Sequence, residues 1–132
     1  MILDPVKLAQ WGSGRWCSAK PRRPVTGFAI DTRKLKPNQV FVALCTGKRD
    51  GHDFLSDAKN LGASAALVER FNPSVDISQL VVEDTTRGLM DIARGHRREF
   101  VGEVIGITGS CGKTSTKDAL ALLLGDSITC KT

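Results

Sequence analysis

No stretch limits what this chain can fold into as tightly as Val104-Ile105-Gly106-Ile107-Thr108-Gly109-Ser110-Cys111-Gly112-Lys113-Thr114-Ser115. An apolar run with β-branched residues enters a glycine-punctuated turn, and Gly-Lys-Thr then opens a helix-forming tail. Strand, phosphate-cradling loop and helix N-terminus follow one another in this order in nucleotide-binding proteins. Gly109 and Gly112 let the backbone turn tightly and bring its N–H groups close to phosphate oxygens with no Cβ in the way. Lys113 sets an ammonium beside the β- and γ-phosphates, and the Thr114 hydroxyl suits a magnesium ion. A helix from about Lys113 adds its positive N-terminal dipole. The strict loop pattern has a further glycine where Ile107 stands, and the nearest one, Gly106, lies one residue too early. The bland alternative is a glycine-rich turn with a solvated lysine. The strand before the loop and the helix after it argue against that.

A chain of 132 residues can hold one ordinary domain, or a small domain and part of another. Its 41% apolar and 25% charged residues are those of a soluble globular protein. The longest uninterrupted apolar stretch, Ala119 to Leu124, is too short to span a membrane. Met1 to Pro5 has no basic region leading into an apolar core, so no secretory signal is expected. Cys17, Cys45, Cys111 and Cys130 are widely spaced and suggest neither a zinc site nor a disulfide framework. A reducing cytoplasm is the simplest location. The net charge of +5 suits an anionic ligand. Nucleic acid is not expected: the basic residues are scattered apart from Lys20-Pro21-Arg22-Arg23 and Arg97-Arg98, and two Trp, five Phe and no Tyr make no stacking platform.

Read in order, the chain alternates strands and helices. Asp4 caps a helix that has Pro5 at its first position and Gly12 at its end, followed by a basic loop over 12–23. Strands are expected over 25–30 and 39–44, a helix over 54–61 with Phe54, Ala58 and Leu61 on one face, and strands over 64–69 and 80–82. Asp84 caps a helix over 85–100 whose buried stripe would be Leu89, Ile92, Ala93, His96 and Phe100. A strand before the phosphate loop, a helix over 113–124 ended by Gly125, and a strand from Ser127 to Cys130 complete the pattern. The fold class is α/β, with one small domain over residues 1–83. Residues 84–132 would then open a parallel-sheet ATPase domain, which needs several more strands to cover both faces of its sheet. The chain therefore reads as a truncated protein.

A second constellation stands at the ends of adjacent expected strands, where α/β sheets form ligand crevices. It comprises Asp31-Thr32-Arg33 and Gly47-Lys48-Arg49-Asp50-Gly51-His52-Asp53. Its hydroxyl, guanidinium and ammonium groups suit a diphosphate. Equally, Asp31 can pair with Arg33 or cap a turn, and His52-Asp53 can be only a helix-entry cap.

The same residues carry a family resemblance. Thr108-Gly109-Ser110-Cys111-Gly112-Lys113-Thr114 resembles the nucleotide loop of the Mur ligases, Thr-Gly-(Ser/Thr)-x-Gly-Lys-Thr, which does without the missing first glycine. Ile30-Asp31-Thr32-Arg33, Phe41-Val42-Ala43-Leu44 and Asp50-Gly51-His52-Asp53-Phe54 resemble the signature of that family's N-terminal domain, which holds a UDP-sugar. With Gly62-Ala63 and Val82-Glu83-Asp84-Thr85 the similarity covers almost all of residues 25–124. Lys117-Asp118 is similar to the branch that adds D-alanyl-D-alanine. The sibling adding the third amino acid usually has a Phe-Tyr-x-x-Pro-Ser insertion, absent at Phe100-Val101-Gly102-Glu103. Arg49 departs from the pattern, since relatives often have an aromatic residue there.

The resemblance implies an ATP- and magnesium-dependent ligase of peptidoglycan precursor synthesis, joining UDP-MurNAc-tripeptide to D-alanyl-D-alanine through an acyl phosphate. It implies that Thr108, Gly109, Ser110, Cys111, Gly112, Lys113, Thr114 and Ser115 bind nucleotide, with Lys113 catalytic and Thr114 on the metal. Ile30, Thr32, Arg33, Lys48, Arg49 and His52 would hold the UDP-sugar. A cytoplasmic monomer without membrane or nucleic-acid partners is expected, and a fragment of this length should not catalyse ligation alone. A non-catalytic UDP-sugar or nucleotide-binding module, a GTPase-type switch and the sibling ligase are the competing readings.

Overall fold

The computed structural model describes residues 2–125. In chain order its elements are α1 (Pro5–Trp11), β1 (Arg15–Cys17), β2 (Gly27–Ala29), β3 (Gln39–Val42), β4 (Cys45–Thr46), β5 (Arg49–Asp50), α2 (Leu55–Asn60), β6 (Ala65–Val68), β7 (Ser78–Val81), α3 (Thr85–Glu99) and α4 (Lys113–Leu124). Five strands form one sheet in the order β1-β7-β6-β3-β2, parallel except for β1 at the β7 edge. β4 and β5 form a separate two-stranded hairpin.

The apolar runs Val40-Phe41-Val42-Ala43 and Ala65-Ala66-Leu67-Val68 are buried at every position, as strands covered on both faces must be. Alternation splits them between two layers. Val40, Val42, Ala65, Leu67 and Leu80 pack with Leu8 of α1 and Ile92 of α3. Phe41, Ala43, Ala66 and Val68 pack on the other side with Leu55 and Ala58 of α2 and with Ile77. The result is a helix–sheet–helix sandwich with the parallel strands ending on one rim.

Both expected aspartate caps form: the Asp4 carboxylate accepts from Val6 N at 2.8 Å and that of Asp84 from Arg87 N at 2.7 Å. Other details differ from the sequence pattern, each for a physical reason. α3 buries Thr85, Gly88, Ile92 and Gly95, while Ala93 and Phe100 stay exposed. The glycines define the stripe because neighbours come close. A Cβ on Gly95 would lie 2.2 Å from the Trp11 ring, and one on Gly88 would lie 3.1 Å from Val82. Since α3 packs this way, the first compact unit runs from Met1 to Phe100, and the boundary drawn after Glu83 falls inside it. α2 starts at Leu55 after a 3-10 turn over Gly51–Phe54, which turns Leu55 and Ala58 inward and leaves Phe54 and Leu61 exposed. The segment expected to be loop contains β1, held by its ladder to β7 and by Trp16 Nε1 donating to Pro5 O at 2.9 Å.

The second unit begins at Val101. Val104 to Ile107 form no strand, because a strand exists only through ladder partners and these residues have none among the described residues. α4 occupies the expected residues, and no side chain on it is buried. The strand expected over Ser127–Cys130 lies outside the described residues. No helix among the described residues is long and apolar enough to cross a membrane.

Candidate functional site

The C-terminal ends of β2, β3 and β6 carry most of the chemistry in the first unit. After β2, Ile30 is exposed and Asp31 caps a 3-10 turn over Thr32–Lys34, accepting from Arg33 N at 3.0 Å. The Arg33 guanidinium grips the same carboxylate, with Nη2 2.6 Å from Oδ2. The Arg33 side chain first, then its backbone N–H, hold the Asp31 carboxyl down at about 2. Asp31 therefore both pairs and caps, the bland possibility left open above. Ile30 and Asp31 also line a pocket of about 220 Å³ with Phe28, Ala29, Lys34 and Gln39.

After β3 the chain makes the hairpin β4–β5, which presents Lys48 in its turn and Arg49 at the start of β5. Both are exposed, and neither has an ion-pair partner among the described residues. The base of the hairpin is dense. Gly51 sits where a Cβ would lie 2.7 Å from backbone atoms of Ala43 and Leu44, and its N–H donates to Leu44 O at 2.9 Å. Next to it, Asp50 accepts from His52 N at 2.9 Å, meets His52 Nδ1 at 2.6 Å, and forms a short ion pair with Arg70. The far ring nitrogen, Nε2, accepts from Glu69 N at 3.0 Å and Arg70 N at 3.3 Å. With two N–H groups aimed at Nε2, the neutral ring carries its proton on Nδ1 and donates it to Asp50.

Cys45 Sγ completes the cluster, 3.4 Å from Asp50 Oδ1 and 3.5 Å from His52 Nδ1. Partial desolvation, then the Asp50 and Glu69 carboxylates, push the thiol up to about 11. The thiol form is thus favoured, which slows attack on electrophiles. Cys45, Asp50 and His52 present donor atoms within 4.8 Å of one another, the spacing of a metal site. In this structure hydrogen bonds join the three groups. The backbone N–H and ring of His52 hold the Asp50 carboxyl well below the carboxylate range. Behind them Glu69 Oε1 accepts from Thr85 N at 3.0 Å and lies 3.0 Å from the buried Thr85 hydroxyl, and the Thr85 N–H first of all lowers the Glu69 carboxyl.

Sequence reasoning finds Lys48, Arg49 and His52 here but misses Cys45, Glu69, Arg70 and Thr85. Only their position just after strand ends could have marked them. It also misses Gln79, fully buried in β7, whose amide holds the loop between β6 and β7 through Asn72 N and O.

In the second unit the phosphate loop is built by local backbone geometry. Gly109 has φ 148° and Gly112 φ 77°, both in the region that favours glycine. A Cβ on Gly112 would meet nothing within 4 Å, so conformation alone requires glycine there. Gly112 is the N-cap of α4, and its carbonyl accepts from Thr116 N at 2.9 Å and the Thr116 hydroxyl at 2.8 Å. Lys113 Nζ donates to Gly109 O at 2.5 Å, which holds the ammonium over the loop. Ser110, Cys111, Thr114 and Ser115 are exposed beside it, with Thr108 on its approach.

Residues 24–106 match the family model described as "Mur ligase family, catalytic domain". This chain belongs to the Mur ligase family. The match ends before Gly109, so the geometry of the phosphate loop is independent of it. Among curated relatives, the UDP-N-acetylmuramoyl-tripeptide–D-alanyl-D-alanine ligase of Bacillus subtilis (strain 168) is 40% identical over 103 residues, 76% of this chain and 22% of that protein. The chain thus spans about a fifth of the length of the curated relatives it matches. Among solved structures, the UDP-N-acetylmuramoylalanyl-D-glutamyl-2,6-diaminopimelate–D-alanyl-D-alanyl ligase of Acinetobacter baumannii superposes with a TM-score of 0.81 at 31% identity, over 94% of this chain and 28% of that one. A MurF ligase from Thermotoga maritima in complex with ADP gives 0.58 at 38% identity, over 74% and 22%. The α/β fold, with its parallel sheet, is that of this Mur ligase branch.

Proposed function

We propose that this chain provides the UDP-sugar-holding unit and the phosphate loop of an ATP-dependent ligase that joins D-alanyl-D-alanine to UDP-MurNAc-tripeptide. The observation that carries the reading is the loop Gly109–Lys113 closing onto the N-terminus of α4, in a chain similar to a MurF ligase that binds ADP. In the reaction, the terminal phosphoryl group of ATP passes to the tripeptide carboxylate. The D-alanyl-D-alanine amine attacks the acyl phosphate, forming the peptide bond and releasing phosphate and ADP.

The loop fits its part. The glycines keep Cβ atoms out of the cradle, the N–H groups at the start of α4 face an anion, and Lys113 swings from Gly109 O to phosphate oxygens. The Thr114 hydroxyl is our candidate magnesium ligand. Cys111, Ser110, Thr108 and Ser115 contribute backbone and hydroxyl groups around the phosphates. In the first unit Lys48, Arg49, Arg33 and Thr32 meet the diphosphate, and Ile30 offers an apolar contact at the pocket beside β2. The whole belongs in the cytoplasm, where the nucleotide substrates are made.

Calorimetry of the chain with Mg-ATP and with UDP-MurNAc-tripeptide tests the reading. Two separate binding events are expected, Lys113→Ala removing the first and sparing the second. Loss of both together, or of neither, overturns it. A phosphate-release assay alongside distinguishes binding from turnover.

A further inference from the structure

We propose that His52 is a positioning residue: its imidazole is a strut between the β4–β5 hairpin and the end of β6, setting where Lys48 and Arg49 stand, and does not itself touch the nucleotide sugar. The inference rests on the UDP-sugar reading above and deepens it.

Both ring nitrogens are committed within the protein. Nδ1 donates to Asp50 at 2.6 Å, and Nε2 accepts from Glu69 and Arg70 N–H groups at 3.0 and 3.3 Å. The ring is largely buried, its side chain 9% exposed. A substrate oxygen seeking His52 would have to displace one of these bonds and orphan a backbone N–H or a carboxylate, which costs more than a surface hydrogen bond returns. The two ends of the strut belong to different segments. Asp50 closes the hairpin opposite Cys45, while Glu69 and Arg70 follow β6. Arg70 adds a second tie through its ion pair with Asp50.

What the strut positions follows from topology. Among the described residues the hairpin pairs only within itself, by two residues on each side. Such a ribbon is marginal alone and needs an anchor. Gly51 against β3 and His52 against β6 supply one on each central strand end. The exposed turn Gly47-Lys48 and the first residue of β5, Arg49, are then a rigid platform for two cations. Placing charge in advance lowers the ordering cost of binding a diphosphate.

The test uses the ¹⁵N-labelled chain, its His52→Ala, His52→Gln and His52→Asn variants, and Lys48→Ala/Arg49→Ala, with uridine diphosphate as probe. Without nucleotide, His52→Ala should speed hydrogen exchange at the Glu69 and Arg70 amides at least tenfold; it should also raise the Kd for uridine diphosphate at least fivefold. Gln reaches the position of Nε2 with an amide oxygen and should restore much of both. Asn reaches only toward Asp50 and should restore neither, and these two variants carry the test if His52→Ala does not fold. Unchanged exchange with weakened binding would make His52 a direct ligand and overturn the proposal. Faster exchange with unchanged binding would overturn it too, provided Lys48→Ala/Arg49→Ala binds more weakly. If that double variant binds as the parent does, the UDP-sugar site at the hairpin fails, and the nucleotide-free exchange still judges the strut.

Discussion

The two candidate sites of this chain are made in opposite ways. The phosphate loop is a local object: two glycines in left-handed conformations, a lysine folded over the turn and a helix beginning at once. The rim of the first unit is a non-local one. His52, Asp50, Glu69, Arg70, Cys45 and Thr85 come together from segments up to 40 positions apart in sequence (45 to 85) and hold one another through hydrogen bonds. A local site can lose its key charge and keep its fold. At a non-local site the bonds that join the clustered side chains also tie distant segments of the fold together.

The strongest test of that contrast is Lys113→Ala. On the proposed reading, a full-length Mur ligase carrying this loop should lose roughly two to three orders of magnitude in turnover, as when a transition-state charge donor is removed. Denaturant unfolding of the chain should not change. A shift in the unfolding midpoint would break the contrast.

Two thiols report on the two regions. Cys45, raised from an ordinary 9.0 to about 11, should alkylate about a hundredfold more slowly in the folded chain than in urea. Cys111, exposed in the loop, should react readily and be protected by Mg-ATP. Mass spectrometry of partly labelled protein reads both. Equal labelling of Cys45 in folded and unfolded chain, or no protection of Cys111, would contradict the respective site.

Gly95→Ala probes the packing behind the rim. The added methyl would meet Trp11 near the root of its ring, and overpacking of this kind costs about 1–3 kcal/mol, partly offset by alanine's better helix propensity. Chemical denaturation should show the loss while Mg-ATP affinity is kept.

The smallest effect is expected in acid. Asp31 and Asp50 both have carboxyls lowered on folding, so the unfolded chain binds protons first as pH drops. Their contribution is complete above the unfolded value of about 4, and it declines as pH falls through that value toward the folded one, about 2 for Asp31. Asp50→Asn should lower stability at pH 7 and flatten the profile between about pH 4 and 2. A profile as steep as the parent's would show that Asp50 is not held by His52 and Arg70.

The same contrast explains what could be read in advance. Caps, glycine turns and apolar runs act within a few residues, so Asp4, Asp84, α4 and the central strands β3 and β6 were legible in sequence. The glycine turn from Gly109 to Gly112 was legible for the same reason. The glycine stripe of α3 was not, because glycine in a helix signals weakness until a partner such as Trp11 is known to press against it. β1 is three residues long and exists through its pairing with β7, a fact stored 62 to 66 positions away (15 to 81, 17 to 79). Lys48 and Arg49 could be picked as cations near a strand end. That His52 faces inward depended on where β6 ends.

The border strand β2 carries a last consequence. β1 covers β7 at one side of the sheet, which leaves β2 at the other, with β3 its only sheet neighbour among the described residues. Unpaired border strands invite foreign extended chains, and β2 offers very little to such a visitor. It is three residues long, starts on Gly27 and follows Pro24, and Leu3 already bonds back to Val25 O at 2.8 Å. Replacing Pro24 and Gly27 with β-branched residues would lengthen this border. The failure of such a variant would then be filament-like self-association at high concentration, with each molecule still folded.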